Sequence, residues 1–174
     1  MNRYFSLRDE VLHLLDEKSH GYYKREAIAH MFQVETLCVL LAKERGLDEE
    51  LCAIIGLLHD VAVPIYSSSF QHATRSSELA KELLGPIFSD EEKNIIFTAI
   101  SNHSRKECID DAYSELIKDA DCWSHYLEKT VLKHEESERL KLLKIPKVDS
   151  VISPSALKST VSKMPLPGAG AKAA

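Results

Sequence analysis

The sequence predicts an all-α fold built as one helical domain. Apolar residues recur three and four positions apart along most of the first 143 residues, as they do on the buried face of an amphipathic helix. Capping residues separate these segments, and no stretch of useful length alternates apolar and polar residues as a β-strand does. We therefore expect about six helices in a domain over residues 1–146, followed by a flexible or loosely docked tail over residues 147–174.

The first two predicted helices carry apolar faces at helical spacing. The first begins at Ser6 in a pattern close to a capping box and ends near Gly21. The second should run over about residues 24–45, because Gly46 is a favourable C-terminal cap. His30 lies on the apolar face of this second helix, so its imidazole is expected to point into the protein.

The third predicted helix is the most apolar segment of the chain, and we place it at the centre of the fold. Residues 51–58 contain no charged side chain, and Asp48 precedes them as an N-cap residue. The run ends in His59 and Asp60, two groups that are costly to bury unless they are hydrogen-bonded, ion-paired or bound to metal. Pro64 should prevent this helix from continuing much further.

Three more helices are predicted after a serine-rich loop at residues 64–70. One spans about residues 71–84, and the next spans about residues 90–102 and opens with a capping box at Ser89. A last long helix is expected over about residues 112–143, where an Ile-Pro pair ends it. These elements complete the predicted domain.

Composition places the chain among ordinary globular proteins, with 44% hydrophobic and 28% charged residues in a length of 174. The net charge is −5, and the three lysines after Ser150 contribute +3, so residues 1–149 carry −8. An acidic body argues against extended nucleic-acid binding, which draws most of its affinity from Lys and Arg that neutralise phosphates. Small phosphorylated ligands remain compatible with this charge.

The cysteines and the beginning of the chain indicate a cytoplasmic protein. The four cysteines form no CxxC pair and stand in helical or apolar contexts, so we expect buried, reduced thiols. The chain opens with a charged amphipathic segment rather than a signal peptide, and no apolar run approaches the roughly 20 residues that span a bilayer. We therefore expect neither secretion nor membrane association.

Four side chains in the predicted helices form a candidate metal-binding set. His30 lies on a buried helix face, and His59 and Asp60 end the apolar helix. Asp121 lies in the last helix among apolar neighbours. Each residue alone has a simpler interpretation, since an inward histidine or aspartate is more often a hydrogen-bonded core residue. Together they offer two imidazoles and two carboxylates, a mixed set that suits Mn, Fe, Co, Ni or Zn.

The order of these four residues resembles the HD-domain superfamily of metal-dependent phosphohydrolases. The resemblance covers about residues 25–127, and the four residues match the family's defining ligand positions one for one. Asp121 is preferred as the last ligand because the family's aspartate typically follows an alanine, here Ala120, and Asp119 stays the alternative. The resemblance implies a divalent transition metal, with Fe, Mn, Co or Ni preferred to Zn or Mg.

Two further histidines fall where some branches of the family place ligands for a second metal. His72 opens the helix after the serine-rich loop, and His103 closes the next one. In those branches the aspartate of the His-Asp pair, here Asp60, bridges two metals. The resemblance therefore implies one or two ions, and the alternative is that His72 is an exposed helix residue and His103 a helix C-terminal cation.

The resemblance also implies hydrolysis of a phosphate ester or anhydride, with a nucleotide or another small phosphorylated metabolite as substrate. Asp60 is then a candidate catalytic residue as the metal bridge. His125, one turn after Asp121, is a second candidate, as a hydrogen-bonding group or proton donor, although it could equally be exposed. Basic residues near the ligands are candidates for binding the phosphate, although solvated surface positions are the simpler explanation for each: Arg25, Arg75, Arg105 and Lys106.

Two other functions are compatible with the same residues. A branch of the family with the same six-ligand order uses mixed-valence di-iron to activate oxygen, and a non-catalytic HD-like module would bind a ligand or partner. Val63 departs from the family pattern, because many members carry a lysine or similar polar group there. The identity of the substrate therefore does not follow from the resemblance, and a homodimer is left open.

Overall fold

The computed structural model describes residues 2–143, and it confirms the all-α fold. No strand occurs in this range, and no helix within it is long and apolar enough to cross a membrane. The predicted tail over residues 147–174 lies outside the described residues. The described residues form eight helices: α1 Asn2–Lys18, α2 Gly21–Arg45, α3 Glu49–Leu58, α4 Ala62–Tyr66, α5 His72–Leu83, α6 Asp90–Asn102, α7 Ala112–Leu127 and α8 His134–Leu142.

Helix α3 lies at the centre of the fold, as predicted. All eight residues from Leu51 to Leu58 are buried, because α1, α2, α5, α6 and α7 pack around them. Its contact with α2 is especially close at Gly56, where an added Cβ would lie 2.7 Å from the Cα of Glu35. Glycine at this position therefore allows the two helix backbones to approach each other.

Three predicted capping residues end and begin helices as expected, but the predicted start of the first helix at Ser6 is wrong, because α1 already begins at Asn2. Gly46 follows α2 with a φ of 66°, in the left-handed region that glycine adopts without strain. Asp48 accepts a hydrogen bond of 2.9 Å from the backbone N–H of Leu51 at the start of α3. Ser89 and Glu92 form a reciprocal capping box at the start of α6. These contacts satisfy backbone groups that the helix ends leave open.

The prediction of a loop at residues 64–70 is wrong at its beginning, because Ala62–Tyr66 form the short helix α4. Pro64 lies in the first turn of this helix, where a backbone N–H has no intrahelical acceptor and its absence costs nothing. The proline therefore marks the start of a new helix after α3 rather than a loop.

The prediction of one continuous helix over residues 112–143 is also wrong. Helix α7 ends at Leu127, and Lys129 adopts a φ of 58° in the left-handed region. Thr130 then donates hydrogen bonds from its backbone N–H and its hydroxyl to the carbonyl of His125. The chain reverses here without a glycine to signal the turn, and α8 packs back against α7.

A buried lysine fixes the connection between α6 and α7. Lys118 is fully buried, and its ammonium group donates to the carboxylates of Asp110 and Glu115 and to the carbonyl of Cys108. Three acceptors compensate the cost of burying this charge. The segment that leads from His103 to α7 is therefore held against the helix that carries Asp121.

All four cysteines are free thiols. Cys38, Cys52 and Cys122 are buried, and burial raises the pKa of the Cys52 and Cys122 thiols to about 12. The expectation of burial is wrong for Cys108, which is partly exposed because it lies in the connection between α6 and α7.

Replacing Gly56 with alanine is expected to lower the free energy of unfolding by about 1–3 kcal/mol, because the new methyl group would meet the backbone of α2. Chemical denaturation followed by circular dichroism measures this change. Gly85→Ala is the matched control, since an added Cβ there meets nothing within 4 Å. Equal stability of the two variants would contradict the role assigned to Gly56.

Candidate metal centre

The six side chains predicted as metal ligands lie together beyond the C-terminal end of α3. Asp119, the alternative to Asp121, instead pairs with Arg45 at 2.6 Å and with Arg139 at 2.8 Å. The six residues come from five places in the fold: His30 in α2, His59 and Asp60 after α3, His72 at the start of α5, His103 after α6 and Asp121 in α7.

One group of potential ligand atoms surrounds Asp121. The Nε2 atom of His30 lies 3.2 Å from Oδ1 of Asp121 and 3.2 Å from Nε2 of His59. Nε2 of His59 lies 3.8 Å from the same aspartate oxygen. Two ligands at about 2.1 Å from one ion can be at most about 4.2 Å apart, so these three atoms could share an ion.

A second group surrounds Asp60. Its Oδ1 atom lies 3.3 Å from Nε2 of His103 and 3.7 Å from Nε2 of His72, while its Oδ2 atom lies 3.8 Å from Nε2 of His59. Asp60 therefore stands between the two sets of imidazoles with one oxygen directed to each. This position is the one that a carboxylate bridging two ions would occupy.

Backbone carbonyl groups orient three of these histidines. The Nδ1–H groups of His59, His72 and His103 donate hydrogen bonds of 2.7 to 2.8 Å to the carbonyls of Gly56, Ser69 and Ile100. A carbonyl can only accept, so the proton is fixed at Nδ1 and the lone pair at Nε2. Each ring therefore directs a free nitrogen lone pair at Asp60 or Asp121, as metal-ligating histidines do.

Two glutamates that the sequence analysis did not identify orient the remaining imidazoles. Glu128 accepts a 2.9 Å hydrogen bond from Nδ1 of His30, and Glu136 accepts one of 2.9 Å from Nδ1 of His125. The rings of His30 and His125 stack with centroids 5.3 Å apart. Glu128 caps the C-terminus of α7, two turns after Asp121 and on the same side of the helix. The turn that follows brings Glu136 to the site, and no local pattern in the sequence predicts that turn.

The two aspartates contain buried oxygens that accept no well-aligned hydrogen bond and face only imidazole Nε2 atoms, of His103 at 3.3 Å from Asp60 and of His30 at 3.2 Å from Asp121. Oδ1 of Asp60 and Oδ1 of Asp121 are both buried in this way. Such groups are rare because an unpaired buried polar atom costs about 1–3 kcal/mol, and more when it is charged. A bound cation would satisfy both oxygens, so the residues present fit the metal that the predicted ligands imply.

The electrostatics of the centre keep its carboxylates ionised. Burial alone would raise the pKa of Asp60 and Asp121, yet the neighbouring His59 and His103 hold the pKa of Asp60 below its ordinary value. Lys106, whose ammonium group lies 2.6 Å from Oδ2 of Asp121, does the same for that residue. Ionised carboxylates are the form that binds metal.

The pKa values of the two histidines beside Asp121, His30 and His59, are shifted in opposite directions. Burial lowers the pKa of His59 to about 4, so this imidazole is neutral and ready to bind metal. Burial also disfavours the charged form of His30, but the carboxylates of Asp121 and Glu128 outweigh it and raise the pKa to about 10. His30 is therefore in its positively charged, doubly protonated form near neutral pH in the metal-free protein.

Two cavities open onto the cluster, with volumes of about 730 and 390 Å³. Both volumes fall within the range of about 300–1,000 Å³ typical of small-molecule sites. Lys133 was not predicted to be functional, but it contributes to both cavities. The residues common to the two linings are Asp60, Val63, His125, Lys133 and Glu136.

The predicted phosphate-binding residues are distributed unevenly around this cleft. Lys106 lines the smaller cavity, where its ammonium group pairs with Asp121. Among the described residues that line the two cavities, neither set includes the three predicted arginines. Arg25 is exposed, Arg75 stacks over Tyr66, and Arg105 pairs with Asp110. Their predicted role stays a prediction that these positions do not favour.

A protein-family model described as the HD domain matches residues 27–126, which is more than half of the chain. The chain belongs to the HD-domain family. The matched region includes all six candidate ligands and His125. It ends before Lys133 and Glu136, which reach the cleft from the segment that follows α7.

The curated relatives that match this HD-domain protein are much longer than it is. Ribonuclease Y of Lawsonia intracellularis is 25% identical over 122 residues, and ribonuclease Y of Clostridium tetani is 29% identical over 120 residues. These alignments cover 69% and 68% of this chain but 22% of each relative. The chain thus spans about a fifth of the length of these relatives.

A solved structure shares the fold of this HD-domain protein. It is a crystal structure described as a predicted HD superfamily hydrolase from an uncultured Thermotogales bacterium. The match has a TM-score of 0.58 with 19% sequence identity, and it covers 89% of this chain and 91% of the other. The likeness shows that the two chains have the same fold.

Metal binding is expected to release about one proton from His30 at neutral pH, because a ligating imidazole must be neutral. The pKa of His30 is raised to about 10 in the metal-free protein, so affinity should increase as pH rises towards that value. His59, with a pKa of about 4, should release none in this range. Calorimetric titration with Mn²⁺ in buffers of different ionisation enthalpy counts the protons.

Glu128→Gln provides the comparison for this measurement. It removes one of the two carboxylates that raise the pKa of His30, so the variant should release a smaller fraction of a proton at the same pH. An affinity that does not change with pH, in either protein, would contradict the assignment of His30 as a ligand.

Proposed function

We propose that this HD-domain protein is a metal-dependent phosphohydrolase that acts on a phosphate ester or anhydride of a nucleotide or another small phosphorylated metabolite. The observation that carries the proposal is the convergence of imidazole Nε2 atoms on two buried aspartate oxygens that accept no well-aligned hydrogen bond. Such a set of groups is costly to bury unless it binds cations. A divalent ion beside an open cleft suits the hydrolysis of phosphates.

Two sets of ligands would hold the ions. His30, His59 and Asp121 would form one set. Asp60 and His103, which lie close to His59, would form the other, and His72 would join them through its Nε2 atom, 3.7 Å from Oδ1 of Asp60. When bound, divalent ions lower the pKa of a coordinated water from 15.7 to about 7 and neutralise charge on a phosphate oxygen. The mixed nitrogen and oxygen donors favour Fe, Mn, Co or Ni.

The remaining polar groups of the cleft would bind and protonate the substrate. Lys133 lines both cavities and can pair with a phosphate oxygen. His125 turns its Nε2 atom towards Asp121, at 3.5 Å from Oδ1, while Glu136 holds its Nδ1–H. Its Nε2–H, when protonated, can supply the proton that a departing oxygen needs.

The charge of the cleft supports a small substrate rather than a long polyanion. Glu26, Glu128 and Glu136 line the larger cavity, where Lys133 is the one lysine or arginine among the described lining residues. A long run of phosphates would extend to these carboxylates, whereas the one or two phosphates of a small ester or anhydride can lie at the centre itself. The name ribonuclease Y, carried by the relatives, makes an RNA strand the alternative to test.

Purified protein is expected to release inorganic phosphate from at least one phosphomonoester or nucleotide when supplied with Mn²⁺, Fe²⁺, Co²⁺ or Ni²⁺. His59→Ala should lower kcat by about 100-fold or more, since changes to groups behind the ligands already cost 10- to 100-fold in metal sites. His13→Ala is the matched control, because His13 is exposed on α1 and pairs with Glu17 outside the centre.

Three results would redirect the proposal. No phosphate release with any of the four metals would overturn it. Cleavage of an RNA oligonucleotide without release from small substrates would favour a phosphodiesterase acting on RNA. Oxygen consumption by anaerobically purified, iron-containing protein would favour the di-iron oxygenase chemistry that occurs elsewhere in the family.

Lys133→Ala is expected to raise KM for a phosphomonoester about tenfold, equivalent to about 1.4 kcal/mol of lost binding, while kcat changes little. Lys141→Ala is the control, since Lys141 is exposed on the same helix and pairs with Glu138. Steady-state kinetics on both variants measure the difference. A KM for Lys133→Ala that matches the control would show that Lys133 does not contact the phosphate.

A further inference from the structure

Glu136 is a buried carboxylate outside the predicted set of ligands. Only 5% of the residue is exposed, although it lies on a short and otherwise polar helix. Its Oε1 atom accepts the 2.9 Å hydrogen bond from Nδ1 of His125, and its Oε2 atom accepts one of 2.8 Å from the backbone N–H of Lys133. Both oxygens are therefore engaged, each by a residue that lines the cleft.

Helix α8, which carries Glu136, is anchored independently of the metal centre. The guanidinium of Arg139 donates to the carbonyl of Lys106 at 2.9 Å and to carboxylates of Asp119 and Glu115 at 2.8 and 2.7 Å. These partners lie on α7 and on the connection before it. Arg139 thus fixes α8 one turn after Glu136. The position of the Glu136 backbone, and with it that of the carboxylate, is set by these contacts.

We propose that Glu136 is a positioning residue, which orients His125 towards the reacting phosphate and sets the place of Lys133 beside it. The inference rests on the proposed phosphohydrolase function, in which His125 donates a proton and Lys133 binds phosphate. Because Glu136 accepts the Nδ1–H of His125, the ring cannot rotate freely and its Nε2 atom stays beside Asp121, which lines the smaller cavity with it. One carboxylate therefore accepts hydrogen bonds from both His125 and Lys133.

Replacement of the carboxylate by an amide separates the two contacts. In Glu136→Gln the side-chain oxygen can still accept the backbone N–H of Lys133, but the amide NH2 group then faces Nδ1 of His125 and can only donate. The imidazole would have to move its proton to Nε2 or rotate. Glu136→Ala removes both contacts, so it should affect the binding of phosphate as well.

Nitrogen NMR of the metal-free protein tests the orientation without any need for activity. His125 of the wild type is expected to carry its proton at Nδ1, and Glu136→Gln should shift the ring to the tautomer protonated at Nε2. Glu138→Gln is the matched control, because Glu138 is exposed on the same helix and pairs with Lys141. An unchanged His125 tautomer in Glu136→Gln would overturn the inference.

Kinetics on two substrates test the consequence for the reaction. Glu136→Gln is expected to lower kcat by about 10- to 100-fold for an alkyl phosphate, whose leaving oxygen needs a proton, with KM unchanged. The loss should be much smaller for 4-nitrophenyl phosphate, whose leaving group needs little protonation. Glu136→Ala should lower kcat in the same way and also raise KM. Equal losses of kcat on both substrates would indicate a merely structural role and overturn the inference.

A double-mutant cycle shows whether Glu136 acts through His125. In a His125→Ala background, adding Glu136→Gln should cause no further fall in kcat, because the group that it orients is gone. Fully additive losses would contradict the inference. Wild-type protein that releases no phosphate from either substrate would instead refute the proposed function, and the NMR comparison would still decide whether Glu136 orients the ring.

Discussion

The close approach of α2 and α3 at Gly56 is the contact on which the rest of the centre depends. Gly56 has no side chain, so the backbone of α2 can approach it closely. A Cβ atom added at Gly56 would lie only 2.7 Å from the Cα of Glu35 in α2. The carbonyl of the same glycine accepts the Nδ1–H of His59. One residue therefore sets both the spacing of the helices and the direction of a ligand, which places His59 beside His30 on the neighbouring helix.

The centre concentrates negative charge within a chain whose first 149 residues are already acidic. Asp60, Asp121, Glu128 and Glu136 lie among five imidazoles and the ammonium group of Lys106. Folding must bring these groups together and bury several of them, at a cost that the apolar residues around α3 offset. The burial of the apolar helix α3 thus helps to offset the cost of burying the polar residues that follow it.

Sequence reasoning identified the fold and four candidate ligands because each of the four lies in or beside a helix with a strong local signal, and the resemblance to the HD-domain superfamily added His72 and His103. The apolar run before His59 and the inward face of α2 around His30 both follow from helical periodicity. The contributions of Glu136 and Lys133 depend on a reversal at Lys129, where no glycine indicates the turn. The predicted arginines were chosen by their closeness in sequence, which does not decide the direction of a side chain.

The reversal after α7 also separates the part of the chain that carries the candidate ligands from the part that completes the cleft. The stretch that matches the HD-domain family ends at residue 126 and contains all the candidate metal ligands, while residues 128–136 add one wall of the cleft. Substitutions in the segment between Glu128 and Glu136 can reshape the cleft while these two glutamates continue to orient His30 and His125. Residues 129–135 are therefore the natural segment to graft or randomise when a scaffold of this kind is to be evolved towards a new substrate.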